Sequence, residues 1–166
     1  MSDILLGVII GSVLSIAAGA VTEIIRGNGE ASLDREKRRD DRRLAETTFQ
    51  RQTLLDVQEA LLEWARLNQM HAQADRAAFK QTGVWGKNLV GPELSEREMN
   101  ANRRLALLKS RIRDDGLRAR IGDCQNLEFQ ILMAPDRETA DAINPDLALA
   151  IEECLTTAGD LARNLW

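Results

Sequence analysis

The stretch TLLDVQEALLEWA, residues 53–65, decides the fold. Its apolar residues Leu54, Leu55, Val57, Leu61, Leu62, Trp64 and Ala65 recur at helical spacing, not in the alternation of a strand. They cover about half of a helix circumference, wider than the seam of a two-stranded coiled coil, and so suit a helix packed in a bundle. A heptad-like track through Thr47, Arg51, Leu54, Gln58, Leu61, Ala65, Asn68 and Ala72 is interrupted by polar layers, so a coiled coil is allowed by this pattern but a long regular one is not indicated. Residues 32–80 contain no proline or glycine, so nothing in this stretch stops a helix.

Downstream, QTGVWGKNLVGP (residues 81–92) reads as a loop because of its glycines and proline. Ser95-Glu96-Arg97-Glu98 then predicts a capping box, in which the serine and Glu98 satisfy free N–H groups at a helix start. The apolar stripe that follows is Ala101, Leu105, Leu108 and Ile112, and Asp115-Gly116 predicts a break. A further helix carries Leu117, Ile121, Cys124, Leu127, Ile131 and Leu132 and stops before Pro135. Asn144-Pro145 predicts an N-cap with proline in the first helical position. The last stripe is Leu147, Ile151, Cys154 or Leu155, Ala158, Leu161 and Leu165. The expected fold class is all-α, with residues 47–166 forming a small antiparallel helical bundle.

Composition points the same way. The chain has 166 residues, 44% hydrophobic and 29% charged, with 22 Lys+Arg against 26 Asp+Glu. Such a balance is too apolar for a disordered chain and lacks the basic excess of a dedicated nucleic-acid binder. Aromatics make up 4%, tyrosine is absent and only three prolines occur, which argues against an all-β fold. Two cysteines are too few for a disulfide framework.

Working outward to the amino terminus, ILLGVIIGSVLSIAAGAVT (residues 4–22) is a run of nineteen positions without a charge. As a helix it would measure ~28 Å, close to the ~30 Å hydrocarbon core of a bilayer. Residues 1–26 are therefore expected to be a transmembrane helix. A cleavable signal peptide is the competing reading, since Ala18-Gly19-Ala20 has the small-x-small pattern. Against it, Met1-Ser2-Asp3 carries no Lys or Arg, and a basic run follows the apolar one. Arg26, Arg35, Lys37, Arg38, Arg39, Arg42 and Arg43 predict a cytoplasmic carboxy-terminal part and an outside amino terminus, in a bacterial inner membrane. Gly27-Asn28-Gly29 is expected to break the first helix and Ser32 to cap the next. Residues 27–46 then form a linker and stalk, in which DREKRRDDRR (residues 34–43) is polar on every face. Within the span, Gly7, Gly11, Ser15 and Gly19 make a small-residue stripe of the kind that lets membrane helices associate. Glu23 continues the stripe and is expected to pair with Arg26 near the headgroups, the competing reading being a carboxylate at the self-association seam that lines a pore or responds to protonation.

A search for chemistry finds no catalytic, cofactor or metal motif. His71 is the only histidine, so zinc patterns built on several histidines do not arise. Cys124 and Cys154 fall on core faces and read as small hydrophobes. His71 and Asp75 stand four apart, as routine helix-surface pairs do. The acidic doublets Asp40-Asp41, Asp114-Asp115 and Glu152-Glu153 diverge around their helices instead of converging on an ion. Basic residues gather at Arg103, Arg104, Lys109, Arg111, Arg113, Arg118 and Arg120. They read first as a solvated surface and second as a contact for phosphate, lipid or an acidic partner. No aromatic residue lies among them to stack a base, so nucleic acid is not the expected partner. Trp85, in a glycine-rich loop, is either an anchor that packs the loop down or a partner contact.

The apolar span, the DREKRRDDRR stalk, TFQRQTLLDVQEALLEWAR (residues 48–66), GVWGKN (83–88) and ELSEREMNANRRLALLKSRIRDDGLR (93–118) resemble a loose group of bacterial single-span membrane proteins with a helical cytoplasmic domain. The resemblance implies architecture and assigns no catalytic residue or ligand. The expected function is a non-enzymatic, membrane-anchored interaction or scaffold module. It would form a homo-oligomer through Gly7, Gly11, Ser15 and Gly19, and would bind a cytoplasmic protein through surfaces near Trp85, Arg103, Arg111 and Arg113. A membrane-perturbing effector or small channel, of the kind found in bacterial defence or phage-encoded systems, is the alternative; an enzyme comes third.

Overall fold

The computed structural model describes residues 2–86 and 91–165, with side chains described from residue 34 onward. These residues form four helices: α1 (Ser2–Thr82), α2 (Pro92–Arg111), α3 (Asp115–Leu132) and α4 (Arg137–Arg163). No strand occurs among them, so the all-α class expected from the apolar spacing is the class observed. The chain divides into two compact units, Met1–Glu46 and Thr47–Trp166, and α1 contributes to both.

In the first unit, residues 34–46 are exposed throughout, as a helix polar on every face must be. The span expected at residues 4–22, with Gly7, Gly11, Ser15 and Gly19, lies outside the residues whose side chains are described. Among the described residues no helix is long and apolar enough to cross a membrane. One expectation is corrected. Residues 27–33 are helical, so Gly27-Asn28-Gly29 does not end a helix and Ser32 does not cap one. Each glycine in a helix costs only ~1 kcal/mol, which permits a break without imposing it.

The second unit is a bundle around one core. Leu54, Val57, Ala60, Leu61, Trp64 and Leu67 of α1 are buried against Ala101, Leu105 and Leu108 of α2 and Ile112 just beyond it. Leu117, Ile121 and Cys124 of α3 and Leu147, Cys154, Ala158 and Ala162 of α4 complete it. The buried face of α1 is narrower than its sequence suggests, since Leu55 and Leu62 are 40% and 56% exposed. Trp64 is fully buried, and its indole Nε1–H donates to Asn102 Oδ1 at 2.9 Å, so burying the ring leaves no donor unpaired.

Cross-links fix the helix directions. Gln50, Glu59 and Glu63 of α1 meet Arg111, Arg104 and Arg97 of α2 in turn, which is an antiparallel pairing. Gln58 Nε2 donates to Leu155 O at 2.9 Å and Arg76 pairs with Asp141, so α1 and α4 are also antiparallel. α3 and α4 make the closest backbone approach, with the Cys124 and Cys154 sulfurs 3.6 Å apart and both buried. Small side chains at that crossing allow the approach.

The helix ends show where local signals lost to stronger ones. α1 stops at Gly83, whose φ of +69° makes the left-handed cap and whose N–H reaches Phe79 O at 2.8 Å. α2 begins at Pro92, not at the predicted Ser95–Glu98 capping box, because proline presets the first turn three residues earlier. The break after α2 falls at residues 112–114, just ahead of Asp115-Gly116, and Asp114 caps α3 by accepting from Leu117 N at 2.7 Å. Gln50 holds this connector from α1: its Nε2 donates to Arg111 O at 3.0 Å and its Oε1 accepts from Arg113 N at 3.2 Å. The predicted start at Asn144-Pro145 is also corrected. α4 begins at Arg137, capped by Asp136 accepting from Thr139 N at 2.8 Å, and Pro145 lies inside it. The better cap upstream and the packing of Ala140 offset the donor that Pro145 lacks.

Candidate functional site

Past Leu67 the core face of α1 changes from large apolar residues to Asn68 and Ala72, with Ala65 one turn before them. Opposite stand Glu128, Ile131 and Leu132 at the end of α3 and Asn144, Leu147, Ala148 and Ile151 of α4. Small side chains on α1 cannot fill the space between them, and a cleft of about 390 Å³ remains. Its walls are mainly apolar, and a few polar groups converge on it, the usual character of a ligand pocket.

His71 is the best-held of those groups. Its Nδ1 lies 2.9 Å from Glu98 Oε1 of α2 and its Nε2 lies 3.7 Å from Asp75 Oδ2 one turn on. All three side chains are mostly buried. The pair foreseen between His71 and Asp75 is thus one side of a triad with a residue 27 positions away. Glu98, spared from the unformed capping box, is what completes it.

Glu128 sits deeper. Burial away from water, and then the negative charge of Glu98, push its carboxyl up to about 7 against the opposing pull of His71 and Asn68. The Asn68 amide lies close enough to favour the carboxylate, yet its Nδ2 makes no hydrogen bond of proper geometry and is buried. Arg76 also faces the cleft, but its Nε and terminal nitrogen bond Asp141 Oδ1 at 3.2 and 2.6 Å. Arg76 first, and then Arg137 at 3.0 Å, hold the Asp141 carboxyl below its ordinary value. Among the described residues no three His, Cys, Asp or Glu side chains converge as a metal ion would require.

The residues singled out from sequence are dispersed. Arg103 and Arg111 line a shallow groove with Asp56, Asn100, Arg104, Leu107 and Leu108 on the outside of α1 and α2. Arg113 lies elsewhere, in the α2–α3 connector, beside a small apolar pocket with Leu54, Ile112, Leu161 and Leu165. Trp85 is half-buried, its ring edge-on to Phe79 near the end of α1 with centroids 6.0 Å apart. Cys124 and Cys154 are buried in the core; the neighbouring Cys154 sulfur and burial both keep the Cys124 thiol protonated. Glu98, Glu128 and Asn68 were not singled out as site residues. A signal existed for Glu128, which continues the buried spacing 117, 121, 124 and thus places an acid on a core stripe.

The fold and the cleft define the class: among the described residues, an all-α bundle with a mixed polar and apolar cleft where the end of α3 meets the first half of α4. No family model matches the chain, and neither a curated protein nor a solved structure shows significant similarity to it.

Proposed function

We propose that the protein is a membrane-anchored helical interaction module, with residues 4–22 spanning a bacterial inner membrane and residues 47–166 in the cytoplasm. The observation that carries the reading is the nineteen-residue charge-free run followed within ~20 residues by seven Lys and Arg, the pattern of a span with a cytoplasmic carboxy-terminal side. The exposed mixed-charge residues 34–46 suit a polar spacer between lipid and bundle. Self-association is assigned to the stripe Gly7, Gly11, Ser15 and Gly19. Partner binding is assigned to the bundle surface, whose exposed Leu107 beside Arg103 and Arg111 combines apolar and basic character.

Fractionation of cells tests the anchor. The chain should pellet with membranes and resist alkaline extraction, and a carboxy-terminal reporter active only in the cytoplasm should be active. Recovery of the intact chain in the supernatant overturns the reading. In membranes, crosslinked oligomers should weaken in the Gly11→Ile/Ser15→Ile double variant. Depolarisation of expressing cells that depends on Glu23 would instead select the membrane-perturbing alternative.

A further inference from the structure

We infer that the cleft between α1, α3 and α4 binds a small amine with an apolar body, its ammonium group held by Glu128. The cleft, of about 390 Å³, is of the size that encloses small organic ligands. Ala65, Ala72, Ile131, Leu147 and Ile151 offer an apolar surface for the body of such a molecule. Charge then selects the head group. Arg76 is committed to Asp141, which Arg137 also engages, and His71 is held between Asp75 and Glu98. Among the described residues no cation reaches ion-pair distance of Glu128, so the half-buried carboxyl, which feels His71 only at longer range, lacks the partner that an ammonium group supplies.

An anionic ligand would meet Asp75 and Glu128 on the cleft wall, while the cations there, Arg76 and His71, are already engaged by Asp141 and by Asp75 and Glu98, so the unengaged charge of the cleft disfavours it. A neutral apolar ligand would leave both Glu128 and the buried Asn68 Nδ2 unsatisfied. That Asn68 donor suits a hydroxyl or carbonyl oxygen carried close to the ammonium. Because the Glu128 carboxyl titrates around 7, a cation draws it into its ionised form, and binding tightens as pH rises through that value. The other charged groups around it are His71, Asp75 and Arg76 from α1 on the cleft wall and Glu98 from α2, with Asp141 from α4 behind Arg76. The site belongs to the bundle alone and is independent of whether residues 4–22 span a bilayer.

The test is titration of the full chain in detergent micelles with n-hexylamine, n-hexanol and hexanoate, read by the methyl resonances of Ile131 and Ile151. Hexylamine should shift both saturably and more tightly than the other two. Glu128→Gln should weaken it by about tenfold or more, and Ala72→Leu, which fills the cleft from α1, should abolish it. Absence of saturable shifts, hexanoate binding as tightly as hexylamine, or undiminished binding in a folded Glu128→Gln chain each overturns the proposal. Should Glu128→Gln not fold, the Ala72→Leu result and the three-ligand comparison on the unaltered chain decide it.

Discussion

Replacing Glu128 by Gln should make the protein more stable, with a gain that grows from pH 4.5 and is complete above about 7. In the folded chain burial and Glu98 raise this carboxyl from 4.5 to about 7, so the native state binds a proton that the unfolded state releases. The penalty is absent below the unfolded value, grows as pH rises from 4.5 to about 7, and is complete above that. At ~1.4 kcal/mol per pH unit the full difference is about 3 kcal/mol. Water screens a group that is only partly enclosed, which reduces the effect to about 1–2 kcal/mol. Gln keeps the shape, while its neutral amide removes the charge. Urea unfolding of the full chain in detergent, followed by circular dichroism, measures this directly. The variant should gain about 1–2 kcal/mol over the unaltered chain near pH 8 and nothing near pH 4.5. An equal difference at both pH values, or a loss of stability near pH 8, would refute the reasoning that Glu128 is a desolvated acid without a cationic partner.

Other residues give sharp expectations. Gln50→Ala strips the α2–α3 connector of two hydrogen bonds, at Arg111 O and Arg113 N, and should cost about 2–3 kcal/mol, with faster amide exchange at residues 112–114. Unchanged exchange there would show that the connector holds itself. Pro145→Ala restores an N–H for the Asp141 carbonyl one turn back and should stabilise α4 by about 1–3 kcal/mol in thermal unfolding. Cys124 and Cys154, buried and with the Cys124 thiol held protonated, should resist alkylation by iodoacetamide in the native chain and react fully once it is unfolded, as mass spectrometry would report. Rapid native labelling would mean that α3 and α4 part readily.

Much of the bundle core was legible because helical packing leaves a periodic trace. Leu54, Val57, Leu61 and Trp64, then Leu105, Leu108 and Ile112, then Leu117, Ile121 and Cys124 repeat every third or fourth residue and are all buried. Leu55 and Leu62 share the composition of that stripe but not its fate, since three neighbouring helices cover only part of the α1 surface. Helix ends were less legible. Ser95 with Glu98, and Asn144 with Pro145, are genuine start signals that lost to Pro92 and Asp136 upstream. A cap is worth ~1 kcal/mol, so a neighbouring signal combined with a few buried contacts overrides it.

What the sequence by itself determined was the all-α class, the apolar faces of the bundle, and a charge-free run of bilayer length set apart from it by a stalk of mixed charge. These are properties of spacing along one chain. The cleft was decided by tertiary structure alone. His71 meets Glu98 across 27 residues, and Glu128 comes to face Asn68 and Asn144 because antiparallel packing brings the end of α3 beside the start of α4 and the later turns of α1. Desolvation and charge coupling depend on distances between helices, and no local pattern of residues encodes them.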